Sequence, residues 1–198
     1  LETNSSGDQC VAIGYKALEA NQASDLVAIG RFACLKNTTG IRNTAIGRNS
    51  LEQNQTGNDN TAVGYNCLEE NTGSNNTAIG ASALVVNTTA SDNTAVGKSA
   101  LTANTTGANN VAVGINSLAS NTTGGVNTAV GRQAMYSNTE GENNTGIGNS
   151  ALYATTTGIK NTAIGTDAGN SITTGDNNTC IGFDADTSSA TVDNEITL

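Results

Sequence analysis

Over 198 residues the chain sets 17 acidic side chains against 8 basic ones, for a net charge of −9, and it contains no histidine. That balance excludes the basic footprint of a nucleic-acid binder, and the missing imidazole excludes a Ser-His-Asp triad, a Cys-His pair and a histidine metal site. No apolar run reaches the roughly 18 residues of a membrane span, and no signal peptide is visible at the start.

Thr and Asn dominate, beside 23 Gly, no Pro and 3% aromatics. Such polarity alone would suggest disorder, but the apolar residues here are locked to a period, which argues for order. A five-residue phrase recurs: a polar residue, Thr or Val, a small residue, Ile or Val, then Gly. Its glycine falls at Gly14, Gly30, Gly47, Gly64, Gly80, Gly97, Gly114, Gly131, Gly148, Gly165 and Gly182, in steps of 16 or 17 residues. A short, regular period means one small unit stacked many times. Residues 1–182 are therefore read as one solenoid of about eleven coils, and 183–198 as an exit segment. Leu1 in place of Met leads us to expect a fragment or a processed chain.

With each glycine as position zero, position −1 is Ile or Val in every unit and −3 is Thr or Val. Two β-branched residues spaced by two predict a short strand with both on one face. Position −2, on the opposite face, is Ala except at Gly146 and Cys180. A face of Ala and Gly lets another backbone approach closely, so it is one candidate contact between chains, and periodicity leaves open which face points to a common axis.

A corner follows. Position +3 is small and +4 is large and apolar, from Leu18 to Leu152, with Cys34 and Gly169 departing. These residues predict a short second strand. Position +7 is Asn from Asn21 to Asn138, then Thr155 and Ile172, and a turn such as Asn121-Thr122-Thr123-Gly124 closes the unit. The shorter units lose their residue in this turn, as a solvent-facing loop allows. Asn at −4, from Asn43 to Asn178, and at +7 predict two amide ladders along the stack, with a polar ligand track as the alternative. The exposed Thr and Asn of the turns would offer weak, repeated contacts. Coils of this width leave little interior, so neighbouring chains are expected to supply further burial as a parallel homotrimer.

Asn43-Thr44-Ala45-Ile46-Gly47, the same phrase at 161–165 and Val11-Ala12-Ile13-Gly14 resemble the YadA-like head repeat of trimeric autotransporter adhesins. That resemblance implies a left-handed parallel β-roll assembled as a trimer. The longer unit, at Asn43 to Gly64 and Asn87 to Gly114, is similar to repeats of bacteriophage tail-fibre proteins. The closing stretch Ala190-Thr191-Val192-Asp193-Asn194-Glu195-Ile196-Thr197-Leu198 resembles the approach to the C-terminal chaperone that trimerises such fibres.

The resemblance implies a structural or adhesive segment of an extracellular fibre. A virion tail fibre that spaces or presents a host-binding tip comes first, and a bacterial adhesin head second. The partners implied are two further copies of the chain and a host-surface glycan or protein. An ice-binding solenoid with regular Thr rows is a third reading, and a glycan-degrading tailspike a fourth. The scarce aromatics offer no platform for sugar.

The sequence singles out no catalytic, cofactor or metal residue, and no enzyme is expected. The carboxylates Glu52, Asp59, Asp92, Glu140 and Asp176 fall at changing positions. Gly124-Gly125 does not open a calcium nonapeptide. Cys10, Cys34, Cys67 and Cys180 form no CxxC pair and read as small buried thiols, with a disulfide or metal role as the alternative. Asn87-Thr88-Thr89 reads as structural rather than as a glycosylation acceptor.

Overall fold

The computed structural model describes residues 7–198; residues 1–6 of the expected solenoid lie outside them. Each β-branched triplet forms a three-residue strand, from β1 (Val11–Ile13) and β2 (Val27–Ile29) to β11 (Thr179–Ile181), and β12 (Ile196–Thr197) lies in the segment 183–198. The strands form one 12-stranded sheet in chain order, every pair parallel. The register repeats the sequence period: Thr44 pairs with Thr61, Ala45 with Ala62, Ile46 with Val63. Among the described residues there is no helix. The molecule is a parallel β-solenoid of about eleven coils. At about 4.8 Å per coil it extends roughly 50 Å.

Backbone bonds join the coils on every side. Val11 N–H donates to Leu26 O at 2.8 Å and Gly30 N–H to Ile13 O at 2.7 Å along the sheet. Leu18 N–H donates to Ala33 O at 3.1 Å on the opposite side, and Thr38 N–H to Gln55 O at 3.0 Å in the turn. No coil inside the stack keeps an open edge, which removes the usual hazard of exposed strand edges.

The second side is not the expected strand. It is two linked turns, closed by Asn37 N–H to Cys34 O at 3.2 Å and Ala33 N–H to Gly30 O at 3.3 Å. Residues at +2 and +4 there have positive φ: Phe32 63°, Cys34 48°, Asn49 58° and Leu51 50°. Left-handed backbone is costly for leucine, so the burial of that side chain and the bonds around it must hold it there. The conversion turns +3 and +4 together into the interior.

The −2 face also differs from expectation. Ala28, Ala45, Ala62, Ala78 and Ala95 are fully buried inside the coil, packed with Leu51, Leu68, Leu84 and Leu101 from the other side. The coil is too thin for two large side chains to meet across it, so Ala stands opposite Leu. The small face is therefore the chain's own core, and the contact between chains cannot use it. The interior is also fuller than expected, because a continuous column of small residues and Leu, with Cys34 and Met135 in two Leu places, fills it from Ala17 to Ala168. Gly169 keeps the left-handed φ of its position, 58°, without the leucine side chain. The tip of Ile172 lies 3.3 Å from where a Cβ on Gly169 would stand, so Ile172 occupies the vacated space.

The two asparagine columns are fully or almost fully buried, which excludes the polar ligand track. At +7 the amides bond to one another as expected: Asn104 Nδ2 donates to Asn87 Oδ1 and Asn121 Nδ2 to Asn104 Oδ1, both at 2.8 Å. At −4 the amides chiefly serve backbone. Asn110 Oδ1 accepts from Asn127 N–H at 3.0 Å, and Asn110 Nδ2 donates to Gly124 O at 2.9 Å. Buried backbone that a 17-residue coil cannot pair by sheet bonding alone is satisfied this way. The +7 ladder ends where Thr155 replaces Asn, and Asn138 Oδ1 is left without a partner.

Candidate interaction surfaces

The strand alternation that buries Ala turns −1 and −3 outward. Ile46, Ile79, Ile147, Ile164 and Ile181 are 37–42% exposed, and Ile13 reaches 58%. Thr and Val at −3 lie beside them, half-buried or exposed. Register stacks both rows, so β1 to β11 carry a continuous β-branched surface along the rod. A partly exposed β-branched surface of this length is the candidate interaction surface of the chain.

Next to each Ile or Val, the glycine at zero has φ between 129° and 144°. A Cβ on Gly14 would stand 2.5 Å from Gly30 O, and the same close approach recurs from coil to coil. Only glycine fits there, and the backbone then aims position +1 into solvent. In the first coils that column carries Tyr15, Arg31, Arg48 and Tyr65. The Arg31 guanidinium lies 4.5 Å from the Phe32 ring centroid and 5.9 Å from that of Tyr15, and Arg48 lies 5.7 Å from that of Tyr65. These rings hold their cations by cation–π attraction on an otherwise acidic chain.

None of the four Tyr and two Phe is buried, so exposed aromatic surface does exist, against the reading from composition. Tyr136 and Tyr153 stack on successive coils at 5.3 Å and 6°. Beyond Tyr153 the same column holds Asn170, and a cavity of about 420 Å³ opens between Ser150, Tyr153, Asp167, Asn170 and Ser171.

The remaining candidates separate rather than converge. Asp59 accepts both arms of Arg42, at 2.6 and 2.7 Å, one coil apart. That bond holds the Asp59 carboxyl below the usual carboxylate range. Asp92 Oδ1 accepts from Asn75 Nδ2, and Asp176 Oδ1 from Ile159 N–H. Glu140 is exposed on a turn, and Glu52 accepts from its neighbour Gln53. Among the described residues no three potential ligands gather where a metal could bind.

Cys34, Cys67 and Cys180 are buried and Cys10 is half-buried, all as free thiols. Burial pushes the Cys34 and Cys67 thiols up to about 12. Cys67 donates its S–H to Ala78 O at 3.2 Å. Thr88 and Asn87 face inward bonds, Asn87 being fully buried, so that triplet is structural as read. In the Asn-Thr-Thr turns the second Thr, such as Thr89 and Thr106, stays exposed, while the Asn is buried and the first Thr hydroxyl bonds the next coil; Gln22, Gln55 and Thr72, directly after the Asn of their turns, are exposed as well.

The class these features define is a β-solenoid repeat protein. No protein-family model, curated protein or solved structure matches the chain. Among the described residues no helix is long and apolar enough to cross a membrane.

Proposed function

We propose that the chain is a rigid structural segment of an extracellular fibre, in which three parallel copies bury their outward β-branched rows against one another. The outward row at −1, exposed at six Ile and half-buried at Ile29 and the four Val, carries this reading. A second copy has the same 16- or 17-residue period, so its rows match over the full length of the rod. The bacteriophage tail-fibre setting follows from the longer repeat unit, and the bacterial adhesin head is the alternative for the same assembly. The segment acts by spacing: coil-to-coil bonds on all sides resist bending, and length is set by coil number.

Excising one whole coil, residues 98–114, tests the spacer role. The shortened chain is expected to fold, keep its assembly state and lose about 5 Å in length by small-angle scattering. Loss of folding would show that the coils are not interchangeable and would contradict the spacer.

A second reading is favoured by the Thr at −3, outward in every coil except those of Val11, Val27 and Val111. Thr and Ile rows on a flat parallel sheet could order water as an ice-binding face. The two readings compete for one surface, because copies that bury it leave nothing for ice. A thermal hysteresis measurement separates them: none is expected from the assembled fibre, and clear activity would favour the second reading.

A further inference from the structure

We infer that the groove between Tyr153 and Asn170 is a subsite for one neutral pyranose ring of a glycan. One face of the Tyr153 ring is covered by Tyr136, stacked at 5.3 Å. The other faces the groove, because the next coil offers Asn170 where the two before it offer rings. A stacked pair presents a rigid aromatic platform, and the C–H face of a sugar ring packs on such a surface. Around the platform stand a carboxylate, Asp167, an amide, Asn170, and the hydroxyls of Ser150 and Ser171. Together they supply acceptors and donors beside an aromatic floor, a small set of polar groups lining one groove.

The local backbone holds these groups in place. Asp167 has φ 58° and its N–H donates to Asn149 O at 2.9 Å. Ser171 N–H donates to Asp186 Oδ2 at 3.2 Å. The cavity of about 420 Å³ has room for one ring, and its open form suits an internal sugar of a chain. Charge selects the ligand class: no cation lines the groove, Asp167 adds an anion, and the chain carries −9 overall. Phosphorylated, sulfated and uronic ligands are therefore disfavoured. The groove lies on the turn side, away from the β-branched sheet face, so this inference does not depend on the fibre reading.

Saturation-transfer NMR on the full chain provides the test, with methyl β-glucopyranoside, methyl β-galactopyranoside and methyl α-mannopyranoside as probes. At least one is expected to bind in the millimolar range, and more tightly than methyl glucuronide. Tyr153→Ala is expected to weaken that binding by about tenfold or more, and Asp167→Asn to weaken it measurably. Both replacements are ordinary occupants of their positions, as at Ala119 and Asn116, so the fold is retained. Tyr65→Ala, an exposed ring on a different column far along the rod, is expected to change nothing. Absence of transfer from all three sugars, or transfer that survives Tyr153→Ala, would overturn the inference. Sugar binding by a chain that stays monomeric would leave this inference standing and the fibre reading refuted.

Discussion

Single residues in this chain are chosen for backbone as much as for side chain. The glycine at zero joins strand to corner at a φ that other residues do not hold, with the next coil's carbonyl where a Cβ would be. Gly97→Ala should therefore cost about 3 kcal/mol or more, read from chemical denaturation, because both strain and backbone overlap oppose it. Leucine at +4 is the opposite case, a residue that resists positive φ yet takes 50° at Leu84 and Leu101. Local propensity gave no sign of this, which is why +3 and +4 read as a strand from sequence.

The buried thiols give a second residue-scale prediction. Cys34 and Cys67 should resist a thiol reagent near pH 8 in the folded protein and react once it is unfolded, and modification of either in the native state would contradict their burial. Their folded values stand near 12 against an ordinary 9.0, so the neutral thiol is favoured by folding. That contribution is present below about pH 9 and is lost as pH rises from 9 toward 12. Melting temperature should fall across that window, and Cys67→Ala, the usual occupant of its position, should lessen the fall.

At the scale of the coil, the alternation of β-branched and small residues made strand position and register legible. It did not say which face is inside. The small face suggests close approach by another chain, but a thin coil needs Ala on one wall to admit Leu from the other, and this preference appears only when both walls are built. The asparagine columns were legible as columns; their bonds were not. The −4 amides chiefly satisfy backbone from the next coil, which side-chain stacking alone does not reveal. Asn110→Ala would leave Asn127 N–H and Gly124 O without those bonds in a fully buried place. A loss of about 2–4 kcal/mol is expected by denaturant titration, and a change under 0.5 kcal/mol, roughly that of a surface site, would show the ladder to be incidental. The sugar groove was not legible either, since Tyr153 and Asp167 lie on different coils and look unremarkable in either repeat.

For the whole molecule, the sheet lets one repeat specify a surface about 50 Å long. Its inner column closes the core of each chain, and its outer rows of Ile, Val and Thr remain partly exposed along the full stack. Burial of those rows by two further copies is the central claim, and it has a direct measurement in light scattering on the purified, folded chain. A single species at three times the 19.9 kDa chain mass is expected. A folded, soluble species at 19.9 kDa would contradict it.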